Sequence, residues 1–334
     1  MNQSRRIVKL DEFKSKLDFE DRMFDDDLMQ WNFAGNPEGE LYGATPGATT
    51  RKFTERAKRN LCRAAGVPTS YIKTLEPSTL TRVFIEQMLS KDIGTFRMAA
   101  NKNDEVVFCQ KPDLQYNSLR DMLKATEHLG QPLMIKGDPE DSDVIDLMFN
   151  ARKVDITDDN LTVGVCLTHY PTQLAGSKIS TMLYRLICTN GLISEESAKP
   201  RTFKKNEFNT TDLAGILQYY VDASSSTFFA DHVKLFREKR ISPNELIAQG
   251  EVIKHHLLPS AVIKAEKYIT AIAAPNMATQ GLLQTMQAAG IPKVDNVWEG
   301  INVYTYVANE YPQPSSTQNI QKGIMKWALG YQPS

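Results

Sequence analysis

Between Gly94 and Tyr170 the chain passes through five short segments, TFRMAAN, EVVFCQK, PLMIKGD, VIDLMFNARK and LTVGVCLTHY, rich in β-branched and aromatic residues. KND, DPEDSD and DITDDN punctuate them. Such segments fit a pleated surface, and Asp, Asn and Pro in the breaks favour chain reversal, so the pattern predicts antiparallel strands. Between the second and third, SLRDMLKATEHLG spaces Leu119, Met122, Leu123 and Leu129 helically and ends on Gly130. Strand, strand, helix and further strands, with helices on either side, specify an α+β class: an antiparallel β-sheet core with flanking helices. After Pro200 the texture changes to long segments that start on Ser, Thr, Asn or Pro and end near Gly or Pro, which predicts a mainly helical C-terminal half.

At 334 residues the chain exceeds the roughly 250–300 at which single cores stop growing, so two packed parts are expected. They are an α+β core domain over 51–198 and a helical domain over 199–334. Residues 1–50 read as a leading element, anchored by Trp31 and Phe33, followed by a loop, NPEGELYGATPGATT, that ends in a helix N-cap at Thr49 or Thr50. Formal net charge is −1, so any attraction to nucleic acid has to come from a local patch. Cys62, Cys109, Cys166 and Cys188 are far apart, with no CxxC and no secretory leader expected, and read as reduced thiols. No apolar run reaches the roughly 18 residues of a membrane helix. A cytoplasmic protein with no membrane association is expected.

RKFTERAKRNLCRAAGVPTSYIKTL reads as a helix closed by Gly66 and Pro68, then a second short helix. At ~100° per residue, Lys52, Arg56, Arg59 and Arg63 form one basic stripe, with Phe53, Ala57, Leu61 and Ala64 opposite. Its resemblance to a helix-turn-helix is of a kind that short helix pairs show by chance. Further on, SKISTMLYRLICTNG places Ile179, Met182, Leu183, Leu186 and Ile187 at helical spacing and predicts a core helix capped by Gly191. Thr181, Tyr184, Arg185 and Cys188 would form its polar face.

No catalytic set emerges. His255 and His256 are adjacent and would point ~100° apart on a helix, so they cannot share a metal without a third ligand. His169 falls at a strand end, and the acids of GDPEDSDVID and DITDDN lack calcium-loop spacing. There is no P-loop, GxSxG, GxGxxG or HExxH. What remains is electrostatic: besides the stripe, KPRTFKK (199–205) and KLFREKR (234–240) interleave cations with aromatics. That pairing is how single strands are held, cations along phosphates and rings under bases.

Three blocks resemble the phage/plasmid-like domain-of-unknown-function family carried by bacteriophages, prophages and conjugative plasmids. They are TERAKRNLCRAAGVPTSYIKTLEPSTLTRVFIEQML, FRMAANKNDEVVFCQKPDLQYNSLRDMLKA with Arg97 and Tyr116, and VGVCLTHYPTQLAGSKISTMLYRLICTNGLI with Arg185, Cys188, Asn190 and Gly191. VWEGINVYTYVANEY is a weaker match through Trp298, Asn302 and Thr305, with Asn309 and Glu310 where relatives often carry a His. The resemblance implies a mobile-element protein encoded near recombination, repair and anti-restriction genes. An α+β core with basic helices is also similar to single-strand annealing proteins of the Rad52-like kind, which form rings.

The resulting expectation is a phage-encoded, non-enzymatic single-stranded DNA-binding protein, annealing strands as a homo-oligomer, with no cofactor, metal or catalytic residue. Lys52, Arg56, Arg59, Arg63, Lys204 and Lys205 would grip phosphates, joined by Arg97, while Tyr184 and Arg185 line the polar side of the core helix. The alternatives are an interaction protein directed at a host defence or restriction component, and a metal-dependent nuclease using Asp and His residues near 138 to 169.

Overall fold

The computed structural model describes residues 7–114, 116–156, 159–171, 177–185, 190–193, 201–203, 210–223, 226–253, 259–291, 293–310 and 317–331. It has the α+β architecture expected, with a helical C-terminal half.

All five predicted segments are strands, but they divide between two sheets. In chain order the strands are β1 (Ile7–Val8), β2 (Met23–Asp27), β3 (Asn32–Gly35), β4 (Leu41–Ala44), β5 (Arg51–Phe53), β6 (Thr95–Ala100) and β7 (Val106–Gln110). There follow β8 (Met134–Lys136), β9 (Ile145–Ile156), β10 (Asp159–His169), β11 (Lys178–Arg185), β12 (Asn190–Ile193) and β13 (Arg201–Thr202). One sheet has six strands in the order β2-β6-β7-β5-β4-β3, antiparallel except where β5 meets β7. The other has the order β1-β8-β9-β10-β11-β12, with β13 also on β11.

The first correction is therefore at the N-terminus, where residues 23–44, expected as an element and a loop, supply three strands of the six-stranded sheet. Trp31 and Phe33 are anchors as predicted: both are buried, and Phe33 packs on Phe84 with ring centroids 4.6 Å apart. Burial of each such ring contributes about 1.5–3 kcal/mol. Close approach demands glycine twice here, since a Cβ on Gly35 would lie 1.9 Å from the Ile72 carbonyl oxygen and one on Gly43 2.8 Å from Trp31.

Helices α1 (Leu10–Ser15), α2 (Glu55–Ala65), α3 (Tyr71–Thr74), α4 (Pro77–Ser90) and α5 (Leu119–Thr126) surround the sheets. α2 and α4 cover one face of the six-stranded sheet over Phe33, Phe53, Leu61, Phe84 and Cys109. Ala99, Val107 and Phe108 turn the opposite way and share a second core with Leu147, Phe149, Val165 and Leu167 of the larger sheet and with α5. Helix α6 (Thr210–Ala223) joins that second core through Leu213, Leu217 and Tyr220, and a third core belongs to the C-terminal helices α7 (Ser226–Glu238), α8 (Pro243–Ile253), α9 (Pro259–Ala273), α10 (Gln280–Ala288), α11 (Val297–Glu310) and α12 (Thr317–Gly330). There the buried Tyr304 hydroxyl donates to the Leu246 carbonyl at 2.9 Å. Trp298, Asn302 and Thr305 are buried along α11, where Asn302 Nδ2 donates to the Trp298 carbonyl at 3.0 Å and Thr305 Oγ1 to that of Ile301 at 2.9 Å.

The second correction concerns the predicted core helix. Residues 178–185 form β11, which pairs with β10 on one side and β12 on the other. Ile179, Ser180, Thr181 and Met182 are all buried, so both faces of this strand are covered and the period-2 alternation that betrays a strand is erased. Gly191 is no helix cap; it lies opposite Tyr184 in the ladder, as Asn190 lies opposite Arg185.

Candidate ligand pocket between the second helix and its strand

The third correction is to the basic stripe. Arg51–Phe53 is a strand, so the N-cap is Thr54, whose Oγ1 accepts from the Ala57 N–H at 3.4 Å, and Lys52 is not on the helix at all. Lys52 Nζ instead donates to Glu40 Oε1 at 2.6 Å. That ammonium, with Tyr42 and Asn36, holds the Glu40 carboxyl down at about 2. Gly66 closes α2 as predicted, at φ +76, with its N–H on the Cys62 carbonyl.

Arg56 is wholly buried. Its Nε and Nη2 donate to the Val107 carbonyl of β7 at 3.0 and 2.8 Å, and Nη1 donates to the Ser142 carbonyl at 3.1 Å. A guanidinium can be buried when its donors are matched like this. It cannot then reach a phosphate. Burial pulls its pKa below the ordinary arginine value, against the nearby Tyr116, Asp143 and Asp141.

Arg59 is also occupied. Its Nη2 pairs with Asp143 Oδ2 at 3.2 Å, and Asp141 Oδ1 accepts the Arg56 backbone N–H at 3.0 Å, an acid on the positive end of α2. DPEDSD and the middle of the stripe, Arg56 and Arg59, which look like two independent charged features, are each other's partner. The loop after β8 thereby latches the larger sheet to α2, and burial pushes the carboxyls of Glu140 and Asp141 up.

Arg97 of β6 pairs with Asp25 of β2, Nε to Oδ1 at 3.0 Å. Tyr116 donates to Glu20 Oε1 at 2.7 Å, and the same carboxylate takes the Ser118 hydroxyl and the Leu119 N–H at the start of α5. These two positions of the resemblance serve as ties between distant segments. Tyr184 and Arg185 have described backbone on β11, but their side chains lie outside the described residues, as do Lys204, Lys205, Cys188, His255 and His256. In KLFREKR, Lys239 donates to the Tyr331 carbonyl at 2.9 Å and Arg240 pairs with Asp295 at 3.4 Å. That segment rests on the C-terminal helical core, so it does not extend a groove along α2.

What is left of the stripe is Arg63, exposed and with no carboxylate in ion-pair range among the described residues. Below it, a cavity of about 130 Å³ opens between α2 and the end of β7. Ala64, Leu114 and Cys109 form apolar wall, and Arg63 and Lys111 flank it. Lys91 approaches the same helix end, its Nζ 3.5 Å from the Ala64 carbonyl oxygen. Asn60 also lines the cavity and is only 7% exposed; its amide turns away from the opening, and neither Nδ2 nor Oδ1 has a hydrogen-bond partner among the described residues. Gln110, 4% exposed, donates from Nε2 to the Leu114 carbonyl at 2.7 Å and leaves Oε1 unbonded. Unpaired buried amides are uncommon because each costs about 1–3 kcal/mol. Asn60 escaped the sequence reading, although its spacing, four residues after Arg56 and three before Arg63, puts it on their face of the helix.

A second, larger groove of about 630 Å³ runs along β3, β4 and the following GATPGATT loop. Asn32, Tyr42, Thr45 and Ser78 line it, without a charged side chain. Cys62, Cys109 and Cys166 are buried thiols outside any disulfide, and burial holds the Cys62 thiol up at about 12.

The residues offered for a nuclease are engaged elsewhere. His169 is fully buried on β10, with Nε2 3.1 Å from the Asn117 carbonyl oxygen and Nδ1 3.1 Å from Ser177 Oγ. A carbonyl can only accept, so Nε2 carries the proton and Nδ1 accepts from the serine hydroxyl. Asp146 takes the Thr168 hydroxyl at 2.5 Å. Among the described residues no three His, Cys, Asp or Glu are grouped to hold a metal ion, and no helix is long and apolar enough to cross a membrane.

Compared with protein-family models, with curated proteins and with solved structures, the chain matches none.

Proposed function

We propose that the chain is a non-enzymatic, phage-type protein that binds single-stranded DNA through the α2–β7 pocket. The observation that carries this is the small apolar cavity flanked by Arg63 and Lys111, neither of them in an ion pair among the described residues. Cations suit phosphates, while an apolar slot suits the face of a base. The footprint is smaller than the sequence implies, because Lys52, Arg56, Arg59 and Arg97 are held by Glu40, by main-chain carbonyls, by Asp143 and by Asp25. Annealing as a homo-oligomer is part of the proposal through the fold-level analogy to Rad52-like annealing proteins. Anisotropy of a labelled oligonucleotide, titrated with the full chain at low salt, tests it. Measurable binding that Arg63→Ala weakens is the expected result, and no binding would end it.

The internal pairing of those cations also favours a second reading, an interaction protein aimed at a host defence component. Capture of one host protein from lysate, unchanged by nuclease treatment, would support it over DNA.

A further inference from the structure

We infer that Tyr219 of α6 and Arg201 of β13 make a second contact with the single strand, stacking on its bases; this rests on the DNA-binding reading above. The starting point is KPRTFKK, a segment of cations and an aromatic that the α2–β7 pocket leaves unused. Its described part, 201–203, runs beside β11 at the margin of the larger sheet, where Arg201 lies opposite Ile179 in the ladder. Ile179 and Phe203 belong to the second core, and α6 packs into the same core through Leu217 and Tyr220. Strand end and helix are thereby brought together. Arg201 is close enough to the Tyr220 hydroxyl for both its main-chain N–H and its charge to act on it.

Beside that junction stands Tyr219, at 64% the most exposed aromatic side chain among the described residues. Its ring meets that of Tyr220 nearly at right angles, with centroids 5.6 Å apart and planes at 86°, a contact that fixes the ring while solvent still reaches it. One turn back on the same face of the helix is Gly215, a residue type that weakens a helix interior, and a Cβ added there would meet nothing within 4 Å. Packing does not call for this glycine; its effect is a bare stretch of helix next to the ring. The exposed Arg201 has its guanidinium over the Phe203 ring at 5.1 Å, which leaves its other side to a ligand. Aromatic rings and guanidinium planes are the surfaces on which unstacked bases rest, whatever their sequence. Asp222, three residues beyond Tyr219, is engaged by Gln218 Nε2 at 3.0 Å. Stacking adds affinity without neutralising a phosphate, so the salt dependence stays with Arg63 and Lys111.

Binding of the full chain to a dT oligomer and to an abasic oligomer of the same length, each titrated with salt, tests this, with Tyr219→Ala, Tyr219→Phe and Arg201→Lys alongside wild type. Tyr219→Ala should weaken binding to dT by about fivefold or more, the scale of one base stacked on an aromatic ring, with the salt slope and the affinity for the abasic strand unchanged. Tyr219→Phe keeps the ring and should stay within about twofold of wild type by the same reasoning. Arg201→Lys keeps the charge and loses the plane, so it should cost about threefold on dT and nothing on the abasic strand. An effect of Tyr219→Ala below about twofold on dT, or an equal loss on both oligomers, would overturn the stacking assignment and leave DNA binding standing. Failure of wild type to bind either oligomer at low salt would remove the DNA-binding reading itself, and this contact with it. Circular dichroism of each variant confirms that the folded chain is being compared.

Discussion

Arg59 and Asp143 meet at 3.2 Å although 84 positions separate them in the chain. Around that pair, Arg56 and Thr54 engage Ser142 and Glu140 of the same acidic loop. A charge pattern that resembles a ligand site in sequence is thus spent on joining two sheets. Charge must be read as free or matched before it is read as function.

The matched and free arginines should separate cleanly in stability. Arg56→Ala strands the Val107 and Ser142 carbonyls and empties a buried volume, so it should cost about 3–5 kcal/mol in urea denaturation. Arg63→Ala, at an exposed and unpaired site, should fall within about 0.5 kcal/mol of wild type. Equal effects would contradict the burial assigned to Arg56.

Asn60→Leu should stabilise the protein. The substitution preserves volume and removes two unbonded polar atoms from a buried position, which is worth about 1–3 kcal/mol. A higher midpoint of thermal unfolding is expected, and a lower one would mean that Asn60 has a partner within the fold.

Salt dependence should be shallow. With Arg63 and Lys111 as the phosphate contacts, the log–log slope of affinity against salt for a single strand is about −1.4, at roughly −0.7 per phosphate. All of the cations named from sequence would have given a far steeper loss. A slope near that steeper value would show that further cations take part.

His169 should make the fold acid-sensitive. Burial depresses its pKa to about 4, against an unfolded value near 6.5. The folded state favours the neutral ring, so the contribution is complete above pH 6.5 and is lost as pH falls towards 4. Its full size is about 3 kcal/mol at 1.36 kcal/mol per unit. His169→Gln, which has no titrating ring, should flatten the stability difference between pH 7 and pH 4.5 in denaturant melts; an unchanged pH profile would assign the acid sensitivity to other groups.

Five strands, the helix at 119–126 and the helical C-terminal half were legible because alternation, turn residues and helical spacing are local signals. β11 was not, since a strand buried on both faces loses its polar alternation and Ile179, Met182 and Leu183 happen to satisfy a helical rule as well. The short β3 and β4 hide among Gly, Pro and Glu residues that look like loop. In the pocket, Arg63 was visible and Asn60 was not, because the lack of a partner for an amide exists only once β7 is packed against α2. The pairing of the stripe with DPEDSD lies beyond local pattern altogether.

The placement of β6 and β7 between β2 on one side and β5, β4 and β3 on the other has a consequence for biosynthesis. The first strands to leave the ribosome have no central partner until Thr95–Gln110 has been made, and contacts such as Asp25 with Arg97 close over 72 positions. Chains with such long closures fold slowly and expose unpaired edges meanwhile. Nascent chains halted before Thr95 should therefore be protease-sensitive and in need of a chaperone, with protection arriving in one step once the two middle strands emerge.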